Sequence, residues 1–222
     1  MALARLATDP RYRVVRLLTT LNETYQRVAM HGVQRSLLEA QARSLDLPLD
    51  LVFLPAQGGN AEYEAALGWR LAEYRAAGIN RVAFGDLFLE DIRRYREEHL
   101  GRVGMTGLFP LWGEPTDLLA RRFIAEGFRA VVVCADTEQL EPAFAGREFD
   151  TGFLAALPPT VDPCGENGEF HSFVYDGPPF THPVPFRKGE SVLRDQRFQY
   201  CELHPLPSKP HPSDSLIGEK PP

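Results

Sequence analysis

Apolar and polar positions follow two alternating periods along the first 135 residues of the chain. Runs rich in leucine and β-branched residues, which are typical of strands, occupy 12–21, 47–55, 79–85, 107–112 and 128–136. Segments with the i, i+3, i+4 spacing of amphipathic helices lie between them, at 33–46, 60–77, 89–100 and 114–127. In the last helix Thr116 is the predicted N-cap, and Gly127 is predicted to close the C-terminal end. Strands that alternate with helices predict an α/β domain over residues 1–135, with a mostly parallel sheet covered by helices.

The pattern changes after Asp136. A short helix is predicted within 149–158, and three alternating segments follow, separated by glycine, proline and aspartate, at 169–177, 182–190 and 191–205. These segments predict a small α+β domain with antiparallel hairpins over residues 136–204. Residues 205–222 are rich in proline and nearly without apolar anchors, so they are predicted to be a disordered tail.

Charge and composition narrow the classes of partner. The formal net charge of -6 and the pI near 5.6 argue against nucleic acid or an anionic membrane as a partner. The sequence has no apolar run long enough to span a bilayer and no signal-peptide pattern, so a cytoplasmic location is expected. Cysteine spacing fits neither a disulfide framework nor a metal site, and the 6 histidines are scattered without a paired motif, so no metal site is predicted.

Ligands of open parallel sheets bind at the carboxyl ends of the strands. That rule selects the loops that hold His31, Gly85 and Asp86, Pro110 and Trp112. Three of these residues also have a purely structural explanation. Asp86 lies near a helix start, where an acidic residue serves equally well as a cap, and Trp112 at a strand end either stacks on a base or simply packs. His31 is either a functional side chain or a solvated loop histidine.

The segment DPCGENGEFHSF, residues 162–173, is the most informative stretch. Gly165 and Gly168 free the backbone to form a nest of N–H groups, and Glu166 and Glu169 supply two carboxylates beside the Asn167 amide. Such a loop binds an anionic group, Mg²⁺ or an amine, or it is only a turn that leads into the next strand. Likewise, Cys164 within it is a nucleophile or a structural thiol.

Several motifs resemble the diphthine-ammonia ligase family, also called the diphthamide synthase ATP-binding domain family of adenine nucleotide α-hydrolase-like proteins. They are FGDLFLEDIRRYRE, LFPLWG, AGREFD and, most specifically, DPCGENGEFHSFVYDGP, and the resemblance extends from residue 1 to about residue 203. It implies a five-stranded parallel sheet that binds ATP, followed by a smaller domain that completes the substrate site. In such enzymes ATP and Mg²⁺ serve to activate a carboxylate as an acyl-adenylate, which ammonia then converts to an amide.

The resemblance also implies roles for individual residues. Glu166 and Glu169 are expected to be catalytic. The expected nucleotide-binding residues are His31, Gly85, Asp86, Pro110 and Trp112. The expected substrate-binding residues are Cys164, Gly165, Asn167, Gly168 and His171. The expected partners are a small-molecule or protein carboxylate and ammonia, and a homodimer is compatible with this interpretation.

The chain departs from the family pattern at several points. The usual Glu-Gly-Gly-Glu motif contains Asn167 here, and His171 stands where relatives often carry glutamate, so the acceptor carboxylate is expected to differ, as in a bacterial-type member. The strand and Ser-Gly-Gly-Lys-Asp-Ser loop that open family members and hold the ATP phosphates are absent from the sequence. We therefore expect an incomplete reading frame that lacks the central strand of the sheet. The alternative function is a degenerate module that binds a nucleotide or a partner protein without catalysis.

Overall fold

The computed structural model describes residues 1–28, 31–55 and 60–207. Its helices are α1 Ala2–Thr8, α2 Arg35–Ser44, α3 Asn60–Ala76, α4 Glu90–Gly101, α5 Thr116–Ala125 and α6 Thr151–Ala156, with a 3₁₀ turn at Pro142–Phe144. Its strands are β1 Leu17–Asn22, β2 Leu49–Leu54, β3 Arg81–Ala83, β4 Thr106–Leu108, β5 Arg129–Asp136, β6 Phe170–Asp176, β7 Phe186–Arg194 and β8 Phe198–Pro205.

The first half of the chain forms two small parallel sheets. β1 pairs with β2, with Leu17 opposite Leu49, and β3 pairs with β4, with Arg81 opposite Thr106. Helices α2, α3 and α4 connect the strands in the order that the alternating pattern predicts. The prediction of a mixed α/β architecture with parallel pairing is therefore confirmed, although the described strands form two separate pairs instead of one sheet.

The second half of the chain forms a four-stranded antiparallel sheet with the order β6-β5-β8-β7. The alternating pattern predicted that the strand at 128–136 belongs to the parallel layer, and this prediction is wrong, because β5 pairs antiparallel with both β6 and β8. Every residue of β5 after Arg129 is buried. A continuous apolar run of this kind fits a central strand of either sheet type, so its pairing direction is not readable from its composition.

The hairpin at the end of the chain differs in detail from the prediction. The predicted break between residues 190 and 191 does not occur, because β7 runs continuously from Phe186 to Arg194. The turn lies instead at Asp195 and Gln196, whose φ angles of 51° and 53° place both in the left-handed region. Two consecutive positive φ angles are the signature of the tight hairpin turns that match the twist of antiparallel strands.

Both ends of α5 were predicted from capping residues. The N-cap is Pro115, and Thr116 is the first helical residue, so the predicted cap is displaced by one position. Gly127 is confirmed as the closing residue, since its φ is 83° and its N–H donates to the Ile124 carbonyl.

An aromatic cluster forms the core beneath the antiparallel sheet. Phe153 of α6 is fully buried, and its ring lies 5.2 Å from Phe149, 5.7 Å from Phe144 and 5.2 Å from Phe170, measured between ring centroids. The α6 helix is fixed at its start by Asp150, whose carboxylate accepts a 2.7 Å hydrogen bond from the Phe153 N–H. Because Phe170 opens β6, this core supports the end of the glutamate-containing segment.

Two predictions concern the C-terminal tail and the absence of a membrane-spanning segment. Strand β8 extends to Pro205, and residues 208–222, most of the predicted tail, lie outside the described residues. Within the described ranges, no helix has both the length and the apolar character needed to cross a bilayer.

Candidate functional site

The segment that precedes β6 folds into a compact loop around Asp162. One carboxylate oxygen of Asp162 accepts hydrogen bonds from the backbone N–H groups of Cys164, at 3.1 Å, and Glu166, at 2.9 Å. Gly165 has a φ of 70°, and a Cβ built there would lie 2.7 Å from the Phe170 carbonyl oxygen. Only glycine therefore fits this position without displacing the backbone of β6.

Glu169 is the most deeply buried member of the loop, with 1% of its surface exposed. Its Oε1 accepts hydrogen bonds from the Asp162 N–H, at 2.9 Å, and from the Asn167 side-chain amide, at 3.0 Å. Its Oε2 is buried without a hydrogen-bond partner in the structure. The departure from the family motif at Asn167 thus has a local consequence, because that amide holds one oxygen of the carboxylate.

Glu166 extends in the other direction, toward the parallel strands. Its Oε1 accepts a 2.6 Å hydrogen bond from the backbone N–H of Leu87, in the loop that follows β3. The Leu87 carbonyl accepts in turn from the Gly113 N–H, at 2.8 Å, in the loop that follows β4. Burial raises the pKa of Glu166, and the negative charge of Asp86 adds to the rise. The loop around Asp162 therefore lies against the carboxyl ends of β3 and β4.

Gly85 and Asp86 lie beside this contact. Gly85 is exposed, and a Cβ built there would meet nothing within 4 Å, so the space above its backbone is open. Asp86 is largely buried and accepts a 3.1 Å hydrogen bond from Arg96 of α4. The carboxylate is thus already compensated by a guanidinium group, which favours a structural role for Asp86.

Pro110 and Trp112 follow β4. The Pro110 carbonyl accepts a 2.6 Å hydrogen bond from Arg5 of α1. Trp112 packs edge-on against Phe109 at 5.9 Å between ring centroids, and the Arg93 guanidinium lies 4.7 Å from the Trp112 ring centroid. One face of the indole is therefore covered by a cation, which is a packing role.

His31 and His171 meet at the antiparallel sheet. Their rings stack at 4.3 Å between centroids, so His31 lies against β6 of the antiparallel sheet. Burial is the main cause of a pKa of about 4 for His31, with His171 adding to the effect, and burial also lowers the pKa of His171. Both imidazoles are therefore neutral at physiological pH.

Cys164 packs beside Leu87, Leu111 and Leu119, and its thiol lies 3.3 Å from the Thr116 carbonyl oxygen, to which it donates. Burial raises the pKa of this thiol to about 12. A thiol that stays protonated at neutral pH is a poor nucleophile, so the structure favours the structural alternative for Cys164.

Sequence reasoning missed three residues that organise the site. Leu87 holds Glu166 through its backbone N–H, for which a sequence has no signal. Asp162 had a readable signal, because an aspartate before proline commonly accepts from N–H groups a few residues later. Asp136 lies at the end of β5, where its N–H donates to the Glu169 carbonyl at 2.9 Å and its side chain pairs with Arg197.

The Asp136 pair predicts an acid-dependent stability. Arg197 is the main cause of a pKa of about 2 for Asp136, compared with 3.8 for the free side chain. The pair therefore stabilises the fold fully above the unfolded pKa, and its contribution of about 2 kcal/mol is lost as the pH falls toward about 2. Urea unfolding of the parent chain and of Asp136→Asn between about pH 2 and pH 6 should show the difference between them shrinking with acid. Parallel curves would contradict this assignment.

A comparison with known families decides what this part of the chain is similar to. Residues 114–202 match the family model of the diphthamide synthase C-terminal domain. The matched part contains α5, the whole loop from Asp162 to Glu169, and nearly all of the antiparallel sheet. Among curated proteins, a search found no match to the chain. The diphthamide synthase match supports a relationship to diphthine-ammonia ligases at the level of the family.

Proposed function

We propose that the protein is an ATP-dependent amide-forming ligase that resembles diphthine-ammonia ligase. The observation that carries the proposal is the 2.6 Å hydrogen bond from the Leu87 N–H to Glu166. The loop of residues 162–169, called the acidic loop below, lies within the region similar to diphthamide synthase. The hydrogen bond brings this acidic loop to the carboxyl ends of β3 and β4, the edge where open parallel sheets bind ligands. A loop that served only as a turn into β6 would not require this contact.

The proposed reaction has two steps. A carboxylate oxygen of the acceptor attacks the α-phosphorus of ATP, and pyrophosphate leaves. Ammonia then attacks the activated carbonyl, AMP leaves with the bonding electron pair, and one proton is released. Glu166 is suited to accept that proton, because burial raises its pKa and makes it a stronger base than an exposed glutamate.

Open space above Gly85 is compatible with a nucleotide close to the backbone at the end of β3. In the described part of the chain, no cluster of three or more side chains is arranged to hold a metal ion. Magnesium commonly binds through substrate phosphates and only one or two carboxylates, so Mg²⁺ is proposed to arrive with ATP.

We also propose that the pairs β1–β2 and β3–β4 are the two halves of one sheet of the adenine nucleotide α-hydrolase type. The separation of the described parallel strands into two pairs supports this arrangement, in which a further strand would lie between β1 and β3. Leu18 of β1 and Val82 of β3 pack against the same hydrophobic cluster, which includes Leu71 of α3, so the two pairs share one core.

The test is pyrophosphate release from Mg-ATP in the presence of ammonium chloride and a panel of small carboxylates. Release that requires both ATP and one carboxylate, with formation of its amide, is the expected result. A thermal shift with Mg-ATP but no release with any carboxylate or amine would favour the noncatalytic nucleotide-binding alternative. An N-terminally extended chain that carries a phosphate loop should be assayed in parallel, because the family pattern assigns the ATP phosphates to that loop.

A further inference from the structure

One atom in the acidic loop has no explanation in terms of the fold alone. Glu169 is 1% exposed, and its Oε2 is buried without any hydrogen-bond partner, whereas its Oε1 accepts two hydrogen bonds. The two donors are a backbone N–H and the amide of Asn167, so neither carries a charge. Within the described ranges, Glu169 forms no ion pair with any lysine, arginine or histidine.

Such an arrangement costs free energy unless something else satisfies it. A buried carboxylate loses its hydration, and an acceptor atom without a donor costs more than a hydrogen-bonded one. The other buried carboxylate among the described residues, Asp136, is compensated, since it accepts hydrogen bonds from two nitrogens of the Arg197 guanidinium. The position of Oε2 therefore fits a ligand that supplies both a positive charge and N–H donors.

The surroundings narrow the chemical class of that ligand. A metal ion held by protein side chains alone needs three or more ligands, and no such group occurs among the described residues. Asp162 and Asn167 donate to Oε1 and fix the orientation of the carboxylate, which leaves Oε2 to accept from a ligand. Glu166 and Asp162 add negative charge within the same loop, and this favours a cation over neutral ammonia.

We propose that Glu169 Oε2 is the binding site for the ammonium ion that supplies the amide nitrogen. This inference rests on the proposed ligase function and deepens it. Ammonium donates one N–H to Oε2 and gives up a proton, and the nitrogen lone pair then forms the bond to the activated carbonyl. A second proton is lost from the nitrogen as AMP leaves, and Glu166 is suited to accept one of the two. Asn167 acts as a positioning residue, because its amide holds the carboxylate in one orientation.

The first measurement is a thermal shift of the full chain without ATP, titrated with ammonium, potassium or tetramethylammonium chloride at constant ionic strength. Potassium has a similar size but no N–H donor, and tetramethylammonium has the charge but neither the size nor the donor. Stabilisation by ammonium alone is expected. Equal stabilisation by ammonium and potassium, or no response to ammonium, would overturn the proposal even if every variant failed to fold.

The second measurement uses Glu169→Gln, with the exposed Glu190→Gln of β7 as the matched control. The variant should lose the ammonium response, and in the turnover assay its KM for ammonium should rise about tenfold or more, as expected for the loss of a hydrogen bond to a charged group. An unchanged KM with normal pyrophosphate release would reject the ammonium site and leave the ligase function standing. Specific ammonium binding without pyrophosphate release would reject the ligase function and leave the cation site standing.

Discussion

Replacing Glu166 by glutamine is expected to lower kcat for amide formation by about 10² to 10⁴, the usual range for loss of a positioned general base. The glutamine side-chain oxygen still accepts from the Leu87 N–H, so the 2.6 Å contact that docks the loop should survive. Only the capacity to take a proton is lost. The measurement is the steady-state rate of pyrophosphate release, with Glu190→Gln again as the control.

The pH profile separates loss of the base from loss of structure. Because burial raises the pKa of Glu166, parent activity should decline as the pH falls through a value above the ordinary glutamate pKa of 4.5. Glu166→Gln should lack this acidic limb, whereas a variant that only distorts the loop would keep it. A Glu166→Gln enzyme with the parent rate and the parent profile would assign the proton acceptor elsewhere.

Truncation of Phe153 to alanine is expected to destabilise the protein by about 3 to 5 kcal/mol, the range observed for large aromatic side chains in cores. Phe153 is fully buried, and its ring contacts three other phenylalanines. The measurement is the free energy of unfolding from urea titration. Leu118→Ala on α5 is the control, since that side chain is 55% exposed and its loss should change stability by no more than about 0.5 kcal/mol.

A loss below about 1 kcal/mol for Phe153→Ala would show that the aromatic cluster repacks around the space. If Phe153→Ala also lowers the affinity for ammonium, the aromatic core helps to position Glu169, because Phe153 packs against Phe170, the residue directly after Glu169.

Periodicity was sufficient to predict helices α2 to α4 and the parallel strands that they connect, but it did not predict α1. Helix α3 was expected at 60–77 and spans Asn60–Ala76, because its composition and length exclude a strand. The short strands β3 and β4 were located only approximately, since three paired residues leave little periodic signal. Capping residues were informative to within one position, as Thr116 at the start of α5 and Gly127 at its end show.

Two features of the site were beyond the reach of the sequence. The antiparallel pairing of β5 is decided by β6 and β8, which lie far from it along the chain, and not by its own residues. The different environments of the two glutamates also depend on tertiary contacts, because the Glu166 carboxylate accepts from Leu87 whereas the Glu169 carboxylate accepts from Asp162 and Asn167 of its own loop. Sequence alone therefore identified the pair of carboxylates but assigned them no separate roles.

The unequal size of the sheets has a consequence for amide hydrogen exchange. β5 is buried and paired on both sides, so its amides should exchange only through global unfolding, whereas the two-stranded parallel pairs can open locally. The acidic loop is attached to the slowly exchanging part and touches the faster one through Leu87. A ligand that contacts both parts should therefore slow amide exchange in β3 and β4 far more than in β5.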